Sequence, residues 1–308
     1  MLKIGKVKIN DTHYPGEDLY SDGPIEDEML EIAKSYSPKE YNKVIGEREN
    51  WAILYHFSHL RENIILGLPL SPKDSVLEIG AGCGAITGAL AKRAGKVTCV
   101  DLSMKRSLIN AYRHQECEHL EIHVGNFKDV EETLEEKYSV ITLIGVFEYA
   151  VEYISGLNPY EDFLQVIKKH LKEDGRIVIA IENRFGLKYW AGCSEDHTGR
   201  YFEGIEGYKN TSYARTFSHV ELKRIFEKVG FKQWEFYYPY PDYKFPLRIF
   251  SDEYLPEAGE LNTNNYVNFD KERMTLFDEQ AVYGSLIEDG MYPYFANSFL
   301  VVLRGDKE

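Results

Sequence analysis

The feature that most constrains the fold is an alternation of apolar, β-branched runs with helical patterns between residues 75 and 181. Helical periodicity places helices near 85–94, 103–115 and 160–171. Strands that are apolar almost throughout, each followed by a helix, indicate an α/β fold whose parallel sheet is covered on both faces. The runs that predict strands are 75–79, 96–101, 120–124, 138–144 and 176–181.

Helical signals also lie on both sides of this alternation. Apolar residues fall at helical spacing over 25–33, and a second helical stretch runs from about 47 to 66. Beyond the alternation, Ser218 and Glu221 have the spacing of a capping box. They predict a helix that ends at Gly230, a residue suited to a helix C-terminus.

The C-terminal third has two predicted strands, at 233–240 and 298–304. The aromatic-rich stretch 234–243 could stack on a sugar ring, or it could form a strand with one buried face followed by a loop. Long connections at about 184–217 and 241–296 are aromatic and acidic. Connections of that length are usually functional when they are ordered.

Charge and cysteine content exclude some classes of function. The chain has 308 residues and a net charge of −14, which opposes binding to a phosphate backbone, so nucleic acid is not expected as a partner. The four cysteines lack a metal-ligand spacing, so no metal site is expected and a reducing compartment is favoured. No run is apolar and long enough to span a bilayer, and the N-terminus lacks a signal peptide's apolar core. We therefore expect a cytoplasmic protein.

A glycine-rich loop follows the first strand of the alternation. That strand carries Glu78 near its end and continues into Gly80, Ala81, Gly82 and, after one more residue, Gly84, at the opening of a helix. Glycine suits this position because the turn is tight and a ligand would lie almost against the backbone. The spacing is shorter than the G-x-G-x-x-G of dinucleotide folds, whose helix N-terminus receives a pyrophosphate. Glu78 could act through the loop or directly on a ligand's ammonium group.

The next three strand ends carry groups that suit a nucleoside. Asp101, followed by Leu102, could accept hydrogen bonds from a ribose diol, and Asn126 could meet an adenine edge with Phe127 beside it. Gly145 follows the fourth strand and faces the same crevice. Ligands of open α/β sheets bind outside the carboxyl ends of the strands, so these positions predict one binding site. Asp101 could instead cap the helix that follows it, and Asn126 could have a role only in its turn.

These successive motifs resemble those of class I S-adenosylmethionine-dependent methyltransferases over roughly residues 45–183. The resemblance implies S-adenosylmethionine as cofactor, with S-adenosylhomocysteine as product. By that resemblance the three loop glycines line the methionine and ribose, Asp101 holds the ribose and Asn126 meets the adenine, although the family often has an acid there. It implies a Rossmann-like, seven-stranded, mostly parallel sheet with the last strand antiparallel. We expect an N-terminal cap at 1–44 and a methyltransferase domain at 45–308, with the two long connections as acceptor-side insertions.

Other segments resemble one uncharacterised methyltransferase group, found alongside or fused to glycosyltransferases of surface-polysaccharide assembly. That resemblance implies a sugar, glycan or other small-molecule acceptor and an association with glycosyltransferases. This resemblance supports the acceptor only by association, because function resides in sites and not in folds. The segments that carry it are 18–23, 182–186, 195–199, 204–208, 214–218 and 250–254.

Methyl transfer to an oxygen needs mainly alignment, because the sulfonium already activates the methyl group. A hydroxyl acceptor also benefits from a general base, worth on the order of 10²- to 10⁴-fold. His197 and Glu148 are candidates for that base, and Asp196 is a candidate orienting residue or alternative base. Each could instead have only a structural role in its loop. Arg184 and Arg215 could bind an acceptor carboxylate or phosphate, or pair with acidic residues of the same loops.

Other chemistries fit the sequence less well. Amino-group methyltransferases that act on nucleobases are expected to have an Asn/Asp-Pro-Pro-aromatic motif after the fourth strand, where this chain has Gly-Val-Phe-Glu at 145–148. Nicotinamide oxidoreductases prefer the longer glycine spacing, and radical chemistry needs a cysteine triad that is absent. The alternative from another class is a non-catalytic module that binds S-adenosylmethionine in an assembly or regulatory role.

Overall fold

The computed structural model describes residues 1–18, 20–154, 156–262 and 273–305. Leu19, in the N-terminal motif, and 263–272, in the second long connection, lie outside the described residues. The chain divides into two compact units. The first comprises Met1–Leu143 and Ile167–Ile177, and the second comprises Ile144–Val166 and Val178–Glu308.

The first unit alternates strands and helices after an N-terminal hairpin and helices. Its elements are β1 (Leu2–Ile4), β2 (Val7–His13), α1 (Ile25–Ser35), α2 (Tyr41–Arg48), α3 (Trp51–Phe57), α4 (Asn63–Leu66), β3 (Ser75–Ile79), α5 (Thr87–Ala91), β4 (Lys96–Asp101), α6 (Met104–Arg113), β5 (Leu120–Gly125), α7 (Phe127–Glu131), β6 (Tyr138–Ile144) and the start of β7 (Leu171–Glu182).

Parallel pairing dominates the sheet of the first unit. The strand order is β1-β2-β5-β4-β3-β6-β7. β2 pairs with β5, β5 with β4, β4 with β3 and β3 with β6, all in parallel, whereas β1 and β2 form an antiparallel hairpin. Val76, Leu77 and Ile79 of β3 are almost completely buried, as expected of a strand covered on both faces.

The N-terminal helices share an apolar core with α6. Met29 of α1, Val44 of α2 and Phe57 of α3 are buried in one cluster with Ile109 of α6. The helical stretch predicted over about 47–66 is present but interrupted, first between α2 and α3 at 49–50 and again at Ser58. Ser58 has extended backbone angles, and its side chain accepts a hydrogen bond from Leu60 N–H, so it ends α3 and begins a 3₁₀ turn.

The second unit is rich in aromatic residues. Phe236, Tyr238, Tyr283, Tyr292 and Phe299 are buried to 2% exposure or less. Its elements are α8 (Ala150–Tyr153), α9 (Pro159–Lys169, whose last turn falls in the first unit), the end of β7, α10 (Leu187–Trp190), α11 (His219–Val229), β8 (Trp234–Tyr240), β9 (Arg248–Ser251), α12 (Glu279–Glu288), α13 (Tyr292–Phe295) and β10 (Ser298–Arg304).

Antiparallel pairing dominates the sheet of the second unit. The strand order is β7-β10-β8-β9, and β8 pairs antiparallel with both β10 and β9. The aromatic stretch 234–243 therefore begins with a strand, β8. This agrees with the interpretation of the stretch as a strand followed by a loop. The capping box of Ser218 and Glu221 is present at the start of α11, and Gly230 ends that helix with φ +83°.

The predicted α/β fold is confirmed, but the strand count differs. The sequence predicted seven strands, and all seven are present as β3 to β8 and β10, with β10 antiparallel to β8. The described residues contain three more strands, β1, β2 and β9. β1 has three residues, β2 has polar residues along its length and is partly exposed, and β9 has four residues, so none produces a continuous apolar run. No helix among the described residues is long and apolar enough to cross a membrane.

Candidate functional site

The glycine loop of the first unit depends on backbone angles that favour glycine. Gly80, Gly82 and Gly84 have φ values of +69°, +52° and +74°, all in the left-handed region. Gly80 N–H donates a hydrogen bond of 2.8 Å to Val100 O, which joins the loop to the end of β4. The strand-loop-helix arrangement predicted for this segment is present.

Two of these glycines face different surroundings. A Cβ atom placed on Gly84 would overlap the side chain of Asn110 and lie 3.1 Å from Nε2 of His114. A Cβ atom placed on Gly82 would have no heavy atom within 4 Å. Gly84 therefore permits close packing of the loop on α6, whereas Gly82 borders open space where a ligand can approach the backbone.

Asp101 connects this loop to the end of β4. One carboxylate oxygen, Oδ2, accepts a hydrogen bond of 2.7 Å from Gly82 N–H, and Oδ1 accepts one of 2.9 Å from Ser103 N–H. Burial raises the pKa of Asp101 above its usual value, against the lowering effect of the Ser103 hydrogen bond and the Arg106 charge. Each carboxylate oxygen can accept more than one hydrogen bond, so Asp101 retains the capacity to bind hydroxyl groups.

Glu78 connects β3 to the helix that follows the loop. Its Oε2 accepts hydrogen bonds from Thr87 Oγ1 at 2.6 Å and Cys99 Sγ at 3.2 Å, and its side chain is buried. Burial raises the pKa of Glu78 to about 7. Because its described contacts lie within the protein, they favour the role through the loop over direct contact with a ligand.

The remaining predicted cofactor residues of the first unit have structural contacts of their own. The Asn126 side chain accepts a hydrogen bond of 3.0 Å from Lys128 N–H and caps α7. Phe127 is 1% exposed and its ring lies edge-on to that of His170. Ala81 is buried and Leu102 half-buried. The contacts of Asn126 and Phe127 explain both residues without a ligand, so their adenine contact stays a prediction.

The N-terminal motif lies against α6, the helix that follows Asp101. Asp18 accepts hydrogen bonds from the backbone N–H groups of Met104 at 2.6 Å and Lys105 at 3.2 Å. Asp22 lies 2.8 Å from Arg106 Nη2, whose guanidinium also pairs with the buried Glu26. Sequence reasoning had assigned these acids no partner, since the motif was identified only by resemblance.

A cluster of ionisable side chains is buried in the second unit. One ligand-type atom from each of Glu148, Glu182 and His197 lies within 4.8 Å of the others, and we call these three residues the acid–histidine cluster. His197 Nδ1 lies 2.8 Å from Glu195 Oε1, and His197 Nε2 lies 3.6 Å from Glu148 Oε1. Lys244 Nζ lies 2.8 Å from Glu182 Oε1.

Burial and mutual charge alter the protonation of this cluster. Burial opposes protonation of His197, but the neighbouring carboxylates of Glu148, Glu195 and Glu182 raise its pKa well above the usual value. Burial raises the pKa of Glu148, which the neighbouring charge of Glu182 also raises and His197 lowers. Neighbouring charged groups thus stabilise the buried charge of this cluster.

Asp196 has a different environment from the one predicted. Its carboxylate lies 3.0 Å from Lys188 Nζ and 2.5 Å from Lys244 Nζ, and it accepts a hydrogen bond from Tyr189. Although burial alone would raise its pKa, the two lysines hold that pKa well below the usual value. These contacts argue against Asp196 as a base, and they favour Glu195 as the residue that orients His197.

Three further predicted residues of the second unit are explained by local packing. Arg184 and Arg215 both pair with Glu221 in the first turn of α11, at 2.7 and 2.9 Å, so the structure supports pairing with an acidic residue, which lies in a helix and not in the loops. Gly145 has φ +70° and donates a backbone hydrogen bond to Ala180, and a Cβ there would lie 2.8 Å from the hydroxyl of Tyr243.

Comparison with known proteins identifies the segment that holds the glycine loop. Residues 77–177 match the family model of a methyltransferase domain. Over this third of the chain, the protein is similar to a methyltransferase domain. This match supports the predicted methyltransferase class and S-adenosylmethionine as its cofactor.

Individual relatives match to different extents. An uncharacterized methyltransferase of Staphylococcus carnosus is 25% identical over 208 residues, which are 66% of this chain and 90% of that protein. A probable ribosomal RNA small subunit methyltransferase A of Methanosarcina acetivorans is 38% identical over 65 residues, 21% of this chain. A solved Haemonchus contortus phosphoethanolamine N-methyltransferase 1, in complex with phosphoethanolamine and S-adenosylhomocysteine, is 15% identical with a TM-score of 0.49. That comparison covers 93% of this chain and 51% of the other.

The chain matches only part of the ribosomal RNA methyltransferases: 24% of the Methanosarcina acetivorans protein and 52% of one from Alkaliphilus metalliredigens. These relatives are nevertheless named as enzymes of ribosomal RNA. They therefore give no support to the expectation that nucleic acid is not a partner. The predicted sugar acceptor and glycosyltransferase association likewise have no counterpart among these names.

Proposed function

We propose that the protein transfers the methyl group of S-adenosylmethionine to an oxygen atom of a small acceptor, a sugar or a glycan. The observation that carries the cofactor part is the pairing of Gly82 with Asp101. Gly82 N–H binds the carboxylate of Asp101 at 2.7 Å, and Gly82 borders open space. This arrangement sets a strand-end carboxylate beside a stretch of backbone that a ligand can approach closely.

In this proposal Asp101 accepts hydrogen bonds from the two ribose hydroxyls with the lone pairs that its backbone contacts leave. Gly80 and Gly82 let the methionine and ribose parts approach the loop. Glu78 acts as a positioning residue, because its hydrogen bond to Thr87 joins β3 to the first turn of α5. Alignment of the reacting atoms can supply up to roughly 7–11 kcal/mol of the barrier reduction.

The acceptor-side residues of the proposal are His197 and Glu148 of the second unit. Glu195 fixes the ring of His197 through Nδ1, so that Nε2 points to Glu148. Because the pKa of His197 is raised well above the usual value, its ring holds a proton, and in this proposal Glu148, the carboxylate that the ring faces, accepts the hydroxyl proton. Assistance of that kind is worth on the order of 10²- to 10⁴-fold in rate.

A small neutral acceptor suits the charge of the chain. The net charge of −14 repels a phosphate backbone, whereas a sugar hydroxyl carries no charge to be repelled. The motif resemblance to enzymes of polysaccharide assembly supports a glycan acceptor and an association with glycosyltransferases. Cys83, Cys99 and Cys193 are buried free thiols, which fits our proposal of a cytoplasmic location.

Calorimetric titration with S-adenosylmethionine and S-adenosylhomocysteine tests the cofactor part. Asp101→Asn keeps the shape of the side chain but removes its charge, and charge-assisted hydrogen bonds are worth about 1.5–3 kcal/mol. We therefore expect roughly 10- to 100-fold weaker binding for Asp101→Asn. Asp289→Asn, at an exposed position in the second unit, is the control and should bind like the parent.

Three results would contradict this proposal. If folded parent protein binds neither compound, the cofactor assignment fails. If both compounds bind, labelled-methyl transfer to a panel of mono- and oligosaccharides tests the acceptor, with ribosomal RNA in parallel. Transfer to RNA and to none of the sugars would overturn the acceptor, and S-adenosylmethionine binding with no transfer to any acceptor would favour the non-catalytic module.

A further inference from the structure

The acid–histidine cluster carries more negative than positive charge. Glu148, Glu182 and Glu195 are each exposed by 2% or less. Lys244 lies near Glu182, but its ammonium group also lies 2.5 Å from Asp196 and is shared between the two acids. Buried carboxylates without matched partners are costly, because burial removes the water that stabilises their charge. Such a site gains stability from an added cation.

The ring of His197 is oriented as a metal ligand would be. Its Nδ1 lies 2.8 Å from Glu195, and a carboxylate at that nitrogen accepts the Nδ1 proton. Metal binding takes the neutral ring, in which the other nitrogen, Nε2, presents its lone pair toward Glu148 at 3.6 Å, which is too long for a hydrogen bond. Histidine that ligates a metal through one nitrogen commonly donates its other N–H to a carboxylate in this way.

Buried oxygen atoms of the two carboxylates lack a hydrogen-bond partner. Neither Glu148 Oε2 nor Glu182 Oε2 has one, whereas Glu182 Oε1 pairs with Lys244 at 2.8 Å. One atom from each of Glu148, Glu182 and His197 lies within 4.8 Å of the others. Two ligands on opposite sides of one ion are separated by roughly 4–5 Å, since each bond measures about 2.0–2.6 Å.

We propose that Glu148, Glu182 and His197 bind a divalent first-row transition metal ion, of which Mn²⁺ and Zn²⁺ are the best matched. An imidazole ligand favours such ions over Ca²⁺ or Mg²⁺, which take mostly oxygen ligands. Three protein ligands leave coordination positions for water or for an acceptor oxygen. This site was not predicted from the sequence, whose cysteine and histidine spacing shows no local ligand motif.

With an ion bound, the site would activate the acceptor in place of direct proton transfer to Glu148, and this part rests on the proposed function. A hydroxyl oxygen bound to a divalent cation loses its proton more readily. In the transfer, the bond between sulfur and the methyl carbon breaks as the bond between that carbon and the acceptor oxygen forms. The hydroxyl proton passes to water, and S-adenosylhomocysteine leaves. Binding of the ion itself does not depend on this chemistry.

Titration of chelator-treated protein with Mn²⁺, followed by the electron paramagnetic resonance signal of the free ion, tests the proposal, and Zn²⁺ calorimetry repeats it. We expect saturable binding of one ion by the parent. Glu182→Gln and Glu148→Gln should each weaken binding at least tenfold, and Glu195→Gln by about 10- to 100-fold as a residue behind the ligand. Glu131→Gln changes a glutamate that pairs with His170 in the first unit, so it is a matched control and should bind like the parent.

Folding is monitored by circular dichroism in the metal-free state. Removing one buried charge from an overcharged cluster should not lower its stability, so the glutamine variants are expected to fold. The proposal is overturned if the parent binds neither Mn²⁺ nor Zn²⁺. It is also overturned if Glu182→Gln and Glu148→Gln bind these ions as tightly as Glu131→Gln does. Ion binding without methyl transfer would refute only the proposed function, and methyl transfer without ion binding only the site.

Discussion

Gly82→Ala should mainly weaken cofactor binding, whereas Gly84→Ala should mainly lower the stability of the protein, although both glycines belong to one loop. Both have positive φ, and an L-residue held in the left-handed region costs roughly 1–2 kcal/mol. At Gly82 the added methyl group meets open space, so that backbone cost is the whole effect on stability. At Gly84 the methyl group would overlap Asn110 beside His114, and overpacking of a closed site adds about 1–3 kcal/mol.

Urea unfolding of the cofactor-free protein measures this difference. We expect a loss in unfolding free energy of roughly 1–2 kcal/mol for Gly82→Ala and roughly 2–5 kcal/mol for Gly84→Ala. The order reverses for the cofactor: Gly82→Ala should weaken S-adenosylmethionine binding at least tenfold, because its methyl group occupies the space that the ligand needs. Equal stability losses would refute the packing difference. Unchanged affinity in Gly82→Ala would refute the close approach of the cofactor.

Two further predictions concern buried charge in the first unit. Glu78 has a folded-state pKa of about 7, above its unfolded value of about 4.5, so the folded protein holds the extra proton between these pH values. The stability of the parent relative to Glu78→Gln should therefore be greatest below about pH 4.5. It should fall by about 3 kcal/mol as the pH rises to 7. Urea unfolding of both proteins across this pH range measures the difference. Arg106→Met leaves the fully buried Glu26 and the partly buried Asp22 without their guanidinium partner, so unfolding should become easier by about 3–5 kcal/mol.

Controls separate these effects from general damage. Lys96→Met breaks an exposed ion pair with Glu136, which is worth about 0–1 kcal/mol, and should change stability little. A cost for Arg106→Met as small as that of Lys96→Met would show that the buried network adds nothing. A pH dependence of unfolding that is the same in Glu78→Gln and in the parent would show that Glu78 does not hold the proton.

The parallel sheet was predictable because its signals are local. Strands β3 to β6 are continuous apolar runs, and a strand end followed by glycines specifies its own turn. The capping box at Ser218 and the stop at Gly230 likewise involve residues close in sequence. The helical stretch predicted over 47–66 is interrupted because the side chains of Asn50 and Ser58 each accept hydrogen bonds from the backbone within an otherwise favourable apolar pattern.

The acid–histidine cluster was predictable only in part, because its geometry depends on distant segments. Glu148 follows β6, Glu182 ends β7 and His197 lies in the long connection after it. Sequence reasoning selected Asp196 beside His197, yet the loop directs Glu195 to the ring and Asp196 to Lys188 and Lys244. Two adjacent acids are equivalent in a sequence pattern, and only the backbone path of the loop distinguishes them. The one available signal for Glu182 was a carboxylate at the end of an apolar strand.

The division of the chain between the two units has a consequence for the order in which they can fold during synthesis. The first unit needs Ile167–Ile177, which include the start of β7, while the intervening 144–166 belong to the second unit. The first 143 residues therefore leave the ribosome before their sheet has its last strand. A nascent chain halted shortly before residue 167 should remain incompletely folded, with the edge of β6 unpaired and prone to association.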